Sequence, residues 1–218
     1  EKATGGVQRI TTAGNEGYVT VFRSAEKLGV MKTDLFGNPL WVKYLTNCAS
    51  EIFAFSVDQS TGEVYVAGSF DKSGINNDWM EVVKLDVQGN IATSQSIARK
   101  IRPVEVVIHN SPKRISVVGI DEHGTNHNLS ITTITPNGNL VFSKWFDMIV
   151  YEGLSAVERD NGELLVVSSN IGGYDLIRIN PANGNILGSP QMHFMNVADF
   201  GIFDILAYEL SSSNKGFL

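Results

Sequence analysis

Four Gly-Asn turns punctuate the chain, at Gly37-Asn38, Gly89-Asn90, Gly138-Asn139 and Gly184-Asn185, 46 to 52 residues apart. An alternating run precedes each one: Val30 to Asp34, Val82 to Asp86, Leu129 to Thr135 and Leu176 to Asn180. A more polar run follows, as in Leu40 to Tyr44 and Leu140 to Trp145. Gly and Asn supply the left-handed backbone positions that a short antiparallel hairpin demands, so each unit reads as two strands, c and d, joined by a tight turn. Upstream of c lies a third strand, b, in Tyr18 to Arg23, Glu63 to Phe70, Arg114 to Asp121 and Glu163 to Asn170, rich in β-branched and aromatic residues. A fourth, a, precedes it in Val7 to Thr12, Ile52 to Asp58, Val104 to Asn110, Leu154 to Arg159 and Ile202 to Glu209. Polar turns such as Gln59-Ser60-Thr61-Gly62 and Asp160-Asn161-Gly162 join a to b.

A period near fifty residues with four short strands in each copy is the pattern of a propeller blade rather than of a helical solenoid. The expected fold is therefore all-β, a β-propeller of four-stranded antiparallel meander blades forming one domain. Its blades fall at 7–47, 48–98, 99–147 and 148–196, with a partial fifth at 197–218. The near-continuous apolar runs of a and b predict the strands packed on both faces, and the polar d predicts an outer edge. The sequence starts at Glu1 with neither an initiator Met nor a signal peptide, and stops at Lys215-Gly216-Phe217-Leu218, where strand b of the fifth copy is due. These ends predict a fragment of a larger propeller, or of an assembly completed by further segments or copies. A five-blade ring with an incomplete blade is the alternative.

Composition narrows the function classes. Charged residues are 18% of the 218, below the roughly 25% of ordinary domains, and Asn, Ser, Thr and Gly take their place. The net charge is −6, and the 17 Lys and Arg are scattered, which argues against nucleic acid as a partner. Arg99, Lys100 and Arg102, with Lys113 and Arg114 further on, form the nearest approach to a basic run and read as a solvated face. Cys48 is the single cysteine, so no intrachain disulfide forms, and no cationic neighbour in sequence activates its thiol. No apolar run reaches the length of a membrane-spanning helix, so insertion in a membrane is not expected.

The strand and hairpin together resemble the bacterial β-propeller repeat known as the SBBP repeat. Its blades carry a Gly-x-Val-Tyr-Val-x-Gly strand and then a Lys-Leu-Asp-x-x-Gly-Asn-x-x-Trp hairpin. GEVYVAGSF at 62–70 with VVKLDVQGN at 82–90 is similar to both halves, and KTDLFGNPLW at 32–41 to the hairpin including Trp41. ITPNGNLVF at 134–142 and INPANGNILG at 179–188 keep the turn without the Trp, and RISVVGI at 114–120 keeps the strand without its leading Gly. The resemblance covers most of the chain. It implies a propeller fold and an extracellular or cell-surface setting, and carries no catalytic residue or cofactor across.

In a meander propeller the a-b and c-d turns lie at one end and the b-c and d-a loops at the other. The b-c loops are the longer and more polar, so that end is the expected recognition face. Loop 71–78 offers Asp71, Asn76, Asn77 and Asp78, beside Trp79, and loop 121–128 offers Asp121, His123, Asn126 and His127. The first lacks the spacing of an EF-hand, and Gly124 breaks the helix that a His123/His127 zinc pair would need, so no metal site is assigned. Trp79 suits a binding platform, while Trp41 and Trp145 are expected between blades. His109 and His193 read as surface or half-buried residues. Gly153-Leu154-Ser155-Ala156-Val157 lacks the second Gly of a nucleophile elbow, so no catalytic residue is assigned. The expectation is a non-enzymatic binding or scaffolding module, without a cofactor, that recognises protein or glycan. One alternative is a glycoside hydrolase or lyase using Glu51, Glu105, Glu152 and Asp199 near the starts of the a strands. The other is a structural component of a larger assembly.

Overall fold

The computed structural model describes residues 7–13, 16–24, 27–45, 53–70, 79–122, 127–150, 154–170 and 173–194. They form four antiparallel sheets, each a meander in chain order. The first holds β1 (Val7–Thr12), β2 (Tyr18–Ser24), β3 (Lys27–Thr33) and β4 (Pro39–Leu45). The second holds β5 (Phe53–Val57), β6 (Val64–Phe70), β7 (Trp79–Leu85) and β8 (Ile91–Ile97). The third holds β9 (Ile101–Asn110), β10 (Lys113–Asp121), β11 (Asn128–Ile134) and β12 (Leu140–Ile149). The fourth holds β13 (Leu154–Glu158), β14 (Leu164–Asn170), β15 (Gly173–Ile179) and β16 (Gln191–Phe194). The predicted fifth strand a at 202–209, and the rest of 197–218, lie outside the described residues, as does Cys48.

The hairpin turns form as their chemistry dictates. Gly37, Gly89, Gly138 and Gly184 all have φ between +71° and +86°. The residue opening each turn caps it: Asp34 Oδ1 accepts from the Phe36 and Asn38 amides, and Asp86 Oδ1 from those of Gln88 and Asn90. Thr135 and Asn180 do the same work with a hydroxyl and an amide oxygen. A short polar side chain that accepts from an amide two or four residues ahead holds the turn closed, the aspartates making both contacts, Asn180 the nearer and Thr135 the farther, which is why Asp, Thr and Asn interchange here.

Alternate residues of each sheet face opposite neighbours, and three apolar cores result. Val19, Val21 and Val30 of the first sheet meet Val64, Val66 and Val83 of the second. Tyr65, Ala67 and Val82 on the second sheet's other face meet Val106, Ile115 and Val117 of the third. Val118, Leu129 and Ile131 then meet Leu164, Val166 and Ile177 of the fourth. Successive sheets thus pack face to face as blades. The doubly packed strands are b and c rather than a and b: β7 and β11 are as buried as β6 and β10. The reason is topological, since b and c are the central strands of each meander and a is one of its edges. Strand d is the exposed edge, as its polarity predicts.

The third residue of strand d locks each blade to the next. The Trp41 ring lies against Gly89, and its indole N–H donates to the Val87 carbonyl at 2.9 Å. Thr93 lies in the same way against Gly138, and Phe142 against Gly184. The three occupy one register position, opposite Lys32, Lys84 and Thr133. Phe142 therefore does the job of the Trp missing from that copy. Trp145 does not pack between blades: it is 50% exposed, with the Arg99 guanidinium 5.9 Å from its ring centre.

The a-b turn end carries a polar set of inter-blade contacts. Gln59 Nε2 donates to the Thr12 carbonyl at 2.8 Å, tying blade two to blade one. Lys113 of blade three pairs with the buried Asp58 of blade two. Glu158 of blade four accepts from the Asn110 amide and side chain of blade three. It also sits 3.5 Å from Nδ1 of His109, whose other ring nitrogen joins a Ser116–Thr133 hydroxyl chain at 2.9 and 2.8 Å. His109 is thus no surface residue but 1% exposed, and burial holds its pKa below the ordinary value against the pull of Glu158.

Candidate functional site

The b-c/d-a end of blades two and three brings together Trp79, Trp145 and a set of charges. β7 opens on Trp79, which is 40% exposed. The next residue, Met80, donates its amide to the Arg99 carbonyl at 3.2 Å, so the connection from β8 to β9 runs beside the root of the Trp79 strand. Arg99 reaches from that connection in two directions. Its guanidinium stands over Trp145, and its Nε lies 2.9 Å from Oδ2 of Asp121 at the end of β10. Glu122 lies 3.3 Å from Arg102 Nε and 4.0 Å from Lys100 Nζ, and its amide donates to the Lys100 carbonyl at 2.9 Å.

The basic run read from sequence as a solvated face is therefore the cationic half of an ion-pair network. Arg99 and Arg102 are half-buried, and Asp121 is buried. An arginine stacked on a Trp face while it pairs with a carboxylate is held in one orientation, because guanidinium geometry satisfies both contacts at once. Nothing in the spacing of Arg99 and Asp121, 22 positions apart, pointed to this pairing. Only the return of strand b beside the incoming d-a connection makes them neighbours.

Of the residues expected to bind a ligand, Trp79, Asp121 and His127 are described. His127 is exposed, and its carbonyl accepts from the Val150 amide at 2.7 Å, closing the base of the loop. Asp71, Asn76, Asn77, Asp78, His123 and Asn126 lie outside the described residues. Among the carboxylates of the enzymatic alternative, Glu105 is on β9 and half-buried, while Glu51, Glu152 and Asp199 lie outside the described residues. Among the described residues, no three His, Cys, Asp or Glu side chains cluster as metal ligands, and no helix is long and apolar enough to cross a membrane.

Comparison with solved structures decides the architecture. The Dos1 propeller matches 87% of this chain with a TM-score of 0.57 at 11% sequence identity. The fold is a β-propeller. The match spans 48% of the Dos1 propeller chain, so this sequence covers about half the length of that relative. A eukaryotic initiation factor structure also matches, over 86% of this chain and 55% of that one, at 10% identity and a TM-score of 0.39. No family model matches the sequence, and no curated protein does. At such identities the likeness concerns the fold, and what the propeller binds has to be argued from its own surface.

Proposed function

We propose that this propeller is a non-enzymatic binding module that recognises a protein partner through the b-c/d-a end of blades two and three. The observation that carries the reading is the pairing of two exposed Trp side chains with an ordered Arg99–Asp121 pair on that end. Trp and Arg dominate protein recognition because they offer large, rigid area and directional donors together. Carboxylates and guanidinium groups interspersed within one patch suit a surface bearing both signs of charge. The polar loops at 71–78 and 121–128 belong to the same end by chain order and would widen the contact. The SBBP-like strands support an extracellular or cell-surface setting, which surface labelling of intact cells tests directly.

Peptide-display selection against the whole chain, alongside a glycan array, tests the proposal. Selected peptides should lose roughly tenfold or more in affinity with Trp79→Ala or Trp145→Ala, the loss typical of a central aromatic contact. Phe36→Ser, at a 90% exposed residue of a c-d turn on the opposite end, should leave them unchanged. Binding that ignores both Trp substitutions, or ligands found only on the glycan array, would overturn the reading.

A further inference from the structure

Strand c repeats one more feature, and one copy of it opens on a cavity. Lys32, Lys84 and Arg178 stand at the same register, opposite Val19, Tyr65 and Leu165 of strand b. Each meets a glutamate from the start of strand b: Lys32 with Glu16 at 2.7 Å, Lys84 with Glu63 at 2.8 Å and Arg178 with Glu163 at 3.8 Å. Blade three replaces the pair with the neutral Ser116–Thr133–His109 chain. In blade two the Tyr65 ring stands 5.8 Å from the Lys84 ammonium and occupies the space beside it.

Blade one differs, because Val19 stands where Tyr65 does and the lysine faces a cleft of about 550 Å³ between the first two blades. Glu16, Lys32, Gln59, Ser60, Thr61 and Val87 line it. Lys32 is 4% exposed, whereas its partner Glu16 is 71% exposed at the rim. Among the described residues Glu16 is the one acceptor on the Lys32 ammonium, which has three N–H groups to give. Gly62 keeps the approach open: a Cβ there would stand 3.8 Å from the ammonium and 3.4 Å from Val87. The remaining wall is hydroxyl and amide, with Ala13 and Val87 as its apolar part, and the volume is that of a small-molecule site.

We propose that this cleft binds a hydroxylated carboxylate of sugar-acid size, whose carboxylate takes the place of Glu16 on Lys32. A buried ammonium requires a counter-charge, and Glu16 supplies it from a position where leaving exposes it to water it already contacts. An incoming carboxylate regains the same charge-assisted hydrogen bond in a drier place, while its hydroxyls meet Ser60, Thr61 and Gln59. Asp58 beside the cleft does not repel it, because Lys113 and the Ser60 hydroxyl and amide compensate that charge. The site lies at the a-b/c-d end, opposite the proposed protein-binding end, and stands independently of it.

Calorimetric titration of the whole chain with glucuronate, glucose and acetate tests the site. Glucuronate should bind, and glucose, which lacks the carboxylate, should not. Acetate, which lacks the hydroxyls, should bind at least roughly tenfold more weakly. Glu16→Gln removes the internal competitor and should tighten glucuronate by roughly three- to tenfold, a gain that misfolding does not mimic. Lys32→Met should abolish binding. A glucuronate-containing chain offering only internal residues separates polymer recognition from capture of the free acid; either result is consistent with the chemistry. The proposal falls if glucose matches glucuronate, if acetate does, if Glu16→Gln gives no tightening, or if glucuronate binds neither wild type nor Glu16→Gln.

Discussion

Gly89→Ala is expected to destabilise the protein by about 3 kcal/mol, and Gly37→Ala by only about 1 kcal/mol, although both glycines turn the same hairpin. Their backbones are alike, with φ of +82° and +86°. A methyl group at Gly37 meets nothing within 4 Å, so its substitution carries the left-handed strain alone. At Gly89 the same methyl would stand 2.7 Å from the Trp41 ring, closer than real Cβ contacts come. The ring must move, and with it goes the indole bond to the Val87 carbonyl that ties blade one to blade two. At roughly 2–4 °C per kcal/mol for a domain of this size, thermal unfolding should separate the two variants clearly. Combining Gly89→Ala with Trp41→Ala should cost at least about 1 kcal/mol less than the sum of the single changes, because the first no longer has a ring to displace. Strict additivity would mean that the Trp-on-glycine contact does not lock the blades. The same logic predicts a smaller penalty at Gly138, where Thr93 is the neighbour at 3.3 Å and can yield.

The contrast also marks what the sequence made legible. The turns at Gly37, Gly89, Gly138 and Gly184 were readable because turn chemistry is local, and with them came the strands on either side. The burial of strand c was not, because Lys32 and Lys84 interrupt its apolar run and leave it alternating where a and b are near-continuous. Each is instead covered by the packing of its blade and finds a carboxylate at the start of strand b in that same blade. A signal did exist. Lys32, Lys84 and Thr133 all lie five residues before a turn glycine, so the position recurs even though the residue changes in blade three. His109 was misread for a related reason. Its partner Ser116 lies on the next strand of its own blade, Thr133 behind Ser116 on the strand after that, and Glu158 on another blade, so no short window contains the network. The Arg99–Asp121 pair, set by how one blade's exit meets the next blade's loop, was hidden in the same way.

The Asp58–Lys113 pair turns that non-local chemistry into a dependence on pH. Burial raises the Asp58 carboxyl, but Lys113, the Ser60 hydroxyl and amide, and Thr61 outweigh it and bring the pKa from 3.8 to about 2. A carboxylate whose folded pKa is depressed contributes stability that is present above its unfolded value and is lost as pH falls through the folded one. The wild-type protein should therefore lose on the order of 1–2 kcal/mol from this group as pH drops from above 3.8 toward 2. Lys113→Met removes the cation and leaves the carboxylate buried with only its Ser60 and Thr61 donors, so at neutral pH it should cost about 2–4 kcal/mol. In the variant nothing offsets the rise from burial beyond those donors, and the carboxyl protonates at a higher pH than in wild type. The gap in unfolding free energy between the two proteins should accordingly narrow on acidification, and Asp58→Asn combined with Lys113→Met should recover part of the loss at neutral pH. Urea unfolding at neutral and acidic pH measures all four corners of that cycle. A gap that stays constant with pH would show that Lys113 stabilises the turn by packing of its methylenes over blade two, with its charge playing no part.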